Sequence, residues 1–84
     1  MPVIARFYGL IIKMFFISAD HNPPHIHASY GEYDAAFDIN TSELIAGDLP
    51  KRAQGLVIEW IGLHRAELLE MWKRQEFKEL PPLQ

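Results

Sequence analysis

The chain has 84 residues, of which 49% are hydrophobic and 23% charged, and its formal net charge is −3. This length predicts a single domain over residues 1–84, and the composition excludes a fully disordered chain. The absence of cysteine excludes disulfides, thiolate zinc sites and cysteine nucleophiles. The longest apolar run is interrupted by Lys13 and is too short to span a membrane, so we expect a cytoplasmic protein without membrane contact.

The charge is unevenly distributed along the chain. Residues 1–50 carry two basic and six acidic side chains, whereas residues 51–84 carry six basic and five acidic ones. This acidic balance disfavours broad, salt-driven binding of nucleic acid. It still allows a small local site for RNA.

The first half of the chain predicts four strands. They are Val3–Tyr8, Leu10–Ser18, His25–Tyr30 and Tyr33–Ile39, with Gly9 marking a bend between the first two. Gly31 and Glu32 form a two-residue hairpin loop, with glycine at the position that a type II′ turn requires. Thr41–Gly47 is expected to be a short turn or a helical piece.

A long helix is predicted over residues 48–77. Asp48 can cap its start, and Pro50 suits its first turn. Helical spacing places Val57, Trp60, Ile61, His64, Leu68, Met71 and Trp72 on one stripe. Residues 78–84, with Pro81 and Pro82, form a tail. The predicted fold class is therefore α+β, a four-stranded, mostly antiparallel sheet (residues 1–47) with one long C-terminal helix packed on one face.

Three of the four histidines lie in one eight-residue motif, Asp20-His21-Asn22-Pro23-Pro24-His25-Ile26-His27. Alternation along a strand puts His25 and His27 on the same face, and the proline-stiffened loop holds His21 above them. Burying a polar ring without a partner costs about 1–3 kcal/mol, so folding alone gives no reason to concentrate imidazoles. The motif is therefore the best candidate for a functional site.

The predicted hairpin turn fixes which side chains meet across it. Counting outward from the turn, His27 faces Ala36 and His25 faces Asp38, with Cβ atoms about 4.5–5.5 Å apart. A carboxylate beside an imidazole fixes its tautomer and favours its charged form, which prepares a histidine for acid–base work. The candidate catalytic residues are thus His25, His27, His21 and Asp38. Lys13 and Arg6 are candidates for binding phosphate or a developing negative charge.

Two other interpretations of the motif stay open. His21, His25 and His27 could bind zinc or another divalent metal and activate water, although no metalloprotease-like signature is present. The motif could also be a rigid recognition loop or ordinary surface polarity. The first interpretation, acid–base catalysis, needs no cofactor. His64 is expected to be a core or core-edge residue, and the helix is expected to cover the sheet face away from His25 and His27.

The opposite side of the predicted helix carries Gly55, Gly62 and Ala66. Glycine inside a helix costs about 1 kcal/mol relative to alanine. Close approach by another element would explain these residues, so they are candidates for binding a partner protein or a second copy in a homodimer.

The histidine motif resembles the signature of a family of small bacterial proteins, DUF4160, a domain of unknown function. Further segments that resemble this family are Met1–Ile4, Leu49–Arg52, Ile58–Trp60, His64–Leu68, Met71–Trp72 and Leu80–Leu83. The resemblance implies a gene beside that of another small protein, an arrangement similar to a toxin–antitoxin pair. The chain would then be the toxin-like component of a type II system, neutralised by a small antitoxin-like neighbour. The resemblance supplies no catalytic residues. The expected activity, that of a histidine-dependent nuclease or another phosphate-directed enzyme with RNA as a possible substrate, therefore rests on the histidine motif alone.

Overall fold

An antiparallel sheet followed by one helix makes up the structure, a computed structural model that describes residues 3–15 and 23–83. The elements are β1 (Val3–Phe7), β2 (Leu10–Lys13), β3 (His25–Tyr30), β4 (Tyr33–Asp38), β5 (Leu44–Gly47) and α1 (Lys51–Arg74). The strands lie in the sheet in chain order, and each pairs antiparallel with the next. The α+β class predicted from the sequence is confirmed.

The prediction of four strands was wrong, because the sheet has a fifth strand where a turn or helical piece was expected. Within Thr41–Gly47, residues Leu44–Gly47 form β5 and pair with β4, with Leu44 opposite Phe37. Four residues are too few for alternation to separate a strand from a turn. Gly47 has a φ of 75°, and a Cβ there would lie 2.1 Å from the carbonyl oxygen of Asp34. Only glycine fits this strand end.

The register predicted across the β3–β4 hairpin is confirmed residue by residue. Tyr30 pairs with Tyr33, and the ladder continues outward to His27 opposite Ala36 and His25 opposite Asp38. Gly31 has a φ of 59°, the positive value that a type II′ turn requires at its first central position. The short turn therefore determines which side chains meet on each face of the sheet.

The core lies between one face of the sheet and α1. Its fully buried large side chains are Ile4, Leu10, Ile12, Met14, Ile26, Phe37, Ile39, Leu49, Val57, Trp60, Ile61 and Leu68. They alternate along the strands and recur with helical spacing along α1, as the patterns predicted. No helix in the described parts of the chain combines the length and the apolarity needed to span a membrane.

The helix begins later and ends earlier than predicted. Its N-cap is Pro50, which makes no side-chain capping bond, so the predicted cap at Asp48 was wrong. Proline lacks an N–H and has a fixed φ, both of which suit a helix start. At the other end, Gln75 adopts a left-handed conformation with a φ of 55°, and its backbone N–H bonds to the Met71 carbonyl. This left-handed cap ends the helix at Arg74.

The second half of α1 contains a kink and, next to it, a side chain that bonds the sheet. His64 has non-helical dihedral angles (φ −119°, ψ 17°), so α1 consists of two segments joined by a kink. The next residue, Arg65, donates hydrogen bonds to the Ile39 carbonyl and to the Ser42 hydroxyl. The kinked region is therefore hydrogen-bonded to the turn between β4 and β5.

Residues 76–83, which form no helix or strand, pack against the domain. The backbone N–H of Leu80 donates to the Ile4 carbonyl (2.7 Å), which places the segment along β1. Leu80 and Leu83 are buried in the core. The closing residues thus complete the hydrophobic core rather than extend away from it.

Candidate active site

The second face of the sheet carries several of the residues that the sequence predicted for the site. His27 is the cross-strand partner of both Lys13 on β2 and Ala36 on β4, and His25 is opposite Asp38. Because directly opposed residues share a face, all these side chains project to the same side. The same face also carries Arg6, Ile11, Ser29 and Asp34. We call it the histidine face.

Two half-buried imidazoles form the centre of the histidine face. The ring centroids of His25 and His27 are 5.1 Å apart, with an interplanar angle of 69°. The Phe15 ring stands edge-on to His27 at 4.6 Å, and the Trp72 ring lies 5.0 Å from His25. The pair therefore lies between two aromatic side chains, which restrict the rotation of both rings and exclude part of the surrounding water.

His25 is oriented by a backbone carbonyl group. Its Nδ1 lies 2.9 Å from the carbonyl oxygen of Pro23. A carbonyl oxygen only accepts hydrogen bonds, so Nδ1 must carry the proton, and Nε2 is the basic nitrogen of the neutral ring. Pro24, the next residue, accepts a bond from the Ile39 backbone N–H (3.0 Å), which anchors the proline segment to the end of β4.

The carboxylate of Asp38 has other partners. Its Oδ1 accepts hydrogen bonds from the backbone N–H groups of Asn40 (2.7 Å) and Thr41 (3.2 Å). The pairing of Asp38 with His25 in the ladder is as predicted, but the groups that these side chains bond are the turn amides and Pro23. The structure therefore gives Asp38 a role in the β4–β5 turn, which the sequence interpretation did not include.

The contact between Trp72 and His25 contradicts the expectation that the helix stays away from both histidines. Trp72 lies in the last turn of α1, which ends at Arg74. Its ring reaches His25, the first residue of β3.

Burial lowers the pKa of His27 below its ordinary value of 6.5. The neighbouring His25 lowers it further, as does Lys13, while Asp34 acts in the opposite direction. Desolvation disfavours the imidazolium, and so do nearby positive charges. His27 is therefore neutral at physiological pH, the state that a general base requires.

The two predicted cations lie on the histidine face. Lys13 is directly opposite His27, and the exposed Arg6 is opposite Ile11 in the next row. The row of Arg6 also contains Ser29, whose hydroxyl donates to an Asp34 carboxylate oxygen (2.6 Å). The sequence left the face of both cations open. The strand pairing places both on the histidine face, with Lys13 next to His27 and Arg6 two strands away from β3.

The candidate metal site includes His21 in addition to His25 and His27. His21 lies outside the described residues, so its position above His25 and His27 stays a prediction. Within residues 3–15 and 23–83, no group of three or more histidine and carboxylate side chains is arranged to hold a metal. The candidate metal site of His21, His25 and His27 therefore depends on His21.

The partner-binding candidates on α1 all face solvent. Gly55, Gly62 and Ala66 are exposed, and a Cβ added at either glycine would meet nothing within 4 Å. Ile58 and Leu63, which lie near Gly62, are 42% and 66% exposed. The outer side of α1 is thus partly apolar, and the described parts of the chain leave it uncovered.

His64 lies at the kink of α1, away from the imidazole pair. Its ring is 5.1 Å from that of Trp60, and its Nδ1 lies 3.5 Å from a carboxylate oxygen of Glu67. The side chain is mostly buried at the border of the core, as predicted.

Three contributors to the site were missed from the sequence. Phe15 follows Lys13 by two residues, so the alternation that places Lys13 on the histidine face was a usable signal for it. The Pro23 carbonyl and the Trp72 ring gave no such signal, because one is a backbone group and the other comes from a distant helix.

The chain matches no curated protein and no solved structure. A family model described as "Domain of unknown function (DUF4160)" matches residues 9–73. This match covers β2 to β5 and nearly all of α1, including both imidazoles and Lys13. The chain therefore belongs to the DUF4160 family.

Proposed function

We propose that this protein is the toxin-like component of a type II toxin–antitoxin pair and that its histidine face cleaves RNA by acid–base catalysis. The proposed chemistry rests on one observation, the pair of imidazoles of His25 and His27. His25 is fixed in one tautomer by Pro23, and His27 is kept neutral by its surroundings. The assignment to a toxin–antitoxin pair is supported by the resemblance of the chain to proteins encoded beside a small neighbour.

The imidazole pair suits a transesterification within RNA. Neutral His27 takes the proton of a ribose 2′-hydroxyl as its oxygen attacks phosphorus, and a new oxygen–phosphorus bond forms. The bond from phosphorus to the 5′-oxygen breaks, and protonated His25 gives its Nε2 proton to that leaving oxygen. The products are a 2′,3′-cyclic phosphate and a 5′-hydroxyl. Lys13, opposite His27, stabilises the added negative charge on the phosphoryl oxygens.

The charge pattern limits how RNA approaches. Arg6 and Lys13 lie on β1 and β2, whereas Asp34 and Asp38 lie on β4. A phosphate backbone is attracted to the first side of the histidine face and repelled by the second. We therefore expect a short contact with few phosphates and a correspondingly shallow dependence of binding on salt.

Cleavage of end-labelled single-stranded RNA by the purified chain tests the chemistry. We expect fragments that end in a cyclic phosphate, and losses of about 100-fold or more for His27→Ala and His25→Asn. The amide of the asparagine can still donate to the Pro23 carbonyl, so this variant removes the Nε2 group while keeping the local fold. Exposed Glu32→Ala is the matched control.

The assay also separates the alternatives. If a chelator abolishes the activity and zinc restores it, the catalyst is a metal ion bound by His21, His25 and His27. Absence of cleavage by the wild-type chain, or equal cleavage by His25→Asn and the wild-type chain, would contradict the acid–base proposal.

Inducible expression tests the toxin assignment independently. Growth should be inhibited by the chain alone and restored when the neighbouring gene is expressed with it. Unimpaired growth in both cultures would contradict the assignment, whatever the result with purified RNA.

A non-enzymatic interaction module is the second candidate function. The exposed apolar residues Ile58 and Leu63 beside Gly62 favour it, because an uncovered apolar patch on a small domain commonly marks a protein contact. Association with the neighbouring gene product, or with a second copy, should then be lost in Gly62→Lys. Retained association in that variant would exclude the outer side of α1.

A further inference from the structure

The free edge of β5 is a second candidate binding surface, in addition to the histidine face. We propose that this edge docks an extended, basic segment of a partner protein, which adds to the sheet as a sixth strand. The inference does not depend on the histidine chemistry. It rests on the strand order, on the exposure of Ile45 and on the charges around β5.

The two edges of the sheet differ in how they are covered. Along β1, the segment after α1 bonds to the edge through the Leu80 N–H and the Ile4 carbonyl. Among the described strands, β5 pairs with β4 alone. An uncovered edge strand presents backbone donors and acceptors that an added strand can bond.

The composition of β5 permits such an addition. Edge strands are commonly protected by lysine or proline, and β5 contains neither. Its register shift, a bulge-like irregularity, leaves Ile45 without a partner in the β4 ladder, and the Ile45 side chain is 44% exposed. Ile45 therefore offers an apolar contact at the centre of the free edge.

The carboxylates that flank β5 along the chain favour a basic partner segment. No lysine or arginine occurs between Lys13 and Lys51, and the carboxylates of Glu43 and Asp48 flank the strand. Both of these residues are exposed, as are Glu32 and Asp34 on the neighbouring hairpin. An incoming strand with lysine or arginine at its ends would meet an opposite charge at each end.

The same charges disfavour a second copy of this chain. In the antiparallel register that pairs all four residues of both copies, Glu43 of one copy lies opposite Asp48 of the other at both ends. Like charges directly opposite each other destabilise a strand pair. The basic partner segment is thus the occupant that the edge fits.

The test uses the full chain labelled with ¹⁵N and two capped synthetic peptides as probes. Both peptides alternate valine and threonine, but one has lysines at its ends and the other has glutamates. We expect the lysine peptide to shift the amide signals of residues 43–48 saturably and the glutamate peptide to leave them unchanged. Ile45→Lys should weaken the binding by about tenfold. Tyr8→Lys, at a site that is 57% exposed between β1 and β2, should not change it.

Three results of the peptide titration would overturn the inference. They are equal binding of both peptides, signal shifts confined to α1 or to the histidine face, and no shift with either peptide. A dimer that Ile45→Lys disperses in sedimentation would also overturn it, because a second copy would then occupy the edge. None of these readouts uses RNA or growth, so failure here is distinguishable from failure of the proposed nuclease activity.

Discussion

The indole Nε1 of Trp60 donates a hydrogen bond of 2.9 Å to the carbonyl oxygen of Pro81. Trp60 is fully buried in the middle of α1, and Leu80 and Leu83 flank Pro81 in the core. The bond therefore joins the helix to the closing segment of the chain. It also satisfies the one polar atom of the largest side chain in the core.

Replacing Trp60 by phenylalanine should destabilise the domain by about 1–3 kcal/mol. The substitution removes the bond to Pro81 and leaves a void, and both effects lower the free energy of unfolding. Urea denaturation followed by circular dichroism measures the change. Glu79→Ala, at an exposed position of the same segment, is the control. An unchanged unfolding midpoint in Trp60→Phe would show that the closing segment is not part of the cooperative unit.

Gly47→Ala should cost about 3 kcal/mol or more. A Cβ at this position would lie 2.1 Å from the Asp34 carbonyl oxygen, and the positive φ is unfavourable as well. Gly31→Ala isolates the second effect, because Gly31 also has a positive φ but no atom lies within 4 Å of its added Cβ. We expect Gly31→Ala to cost only about 1–2 kcal/mol. Equal thermal shifts for the two variants would contradict the close approach at Gly47.

The domain should lose stability as the pH falls below about 6.5, the ordinary pKa of histidine. Because burial lowers the pKa of His27, the unfolded chain binds this proton at a higher pH than the folded chain does. The loss begins near 6.5 and is complete below the pKa of His27 in the folded state. Above 6.5, His27 contributes no pH dependence.

Unfolding free energies measured across this range, with His27→Gln for comparison, check the sign. The variant should show a smaller loss because it lacks the titrating ring. Lys13→Ala should raise the pKa of His27 in an NMR titration, since Lys13 contributes to its lowering. A pKa for His27 above 6.5 would contradict both expectations.

Asp38→Asn should preserve both the fold and the cleavage of RNA. The amide oxygen of asparagine can accept the two backbone bonds that Asp38 now accepts from Asn40 and Thr41. Asp38→Ala leaves these donors without the acceptor and should cost about 1 kcal/mol. If Asp38→Asn abolishes cleavage while the unfolding free energy is unchanged, Asp38 orients an imidazole during the reaction, as the sequence first suggested.

The β3–β4 hairpin was predictable because local chemistry determines it. Gly31 selects the turn, the turn selects the register, and the register places His25 opposite Asp38. His25 and Asp38 are opposite each other in the ladder, but their side chains bond other groups. The Nδ1 of His25 bonds a carbonyl two residues earlier in the chain, and no pattern of side chains marks such a bond.

Features that depend on distant parts of the chain were not predictable in the same way. The strand β5 exists because β4 offers a free edge to a segment that is too short to show alternation. The contact of Trp72 with His25 joins the last turn of α1 to the start of β3, far away in the sequence. Helical spacing describes a straight element, whereas α1 is kinked at His64.

The order of the strands has a consequence for how the protein could be controlled. Neighbouring strands are about 4.8 Å apart, so a strand added beyond β5 would lie about 14 Å from the backbone of β3. At that distance it would not touch the imidazoles, and a nucleic acid and a protein could occupy the sheet at the same time. A partner that binds there would need a second arm across β4 to reach the imidazoles, and the length of that arm would determine whether it blocks the proposed cleavage.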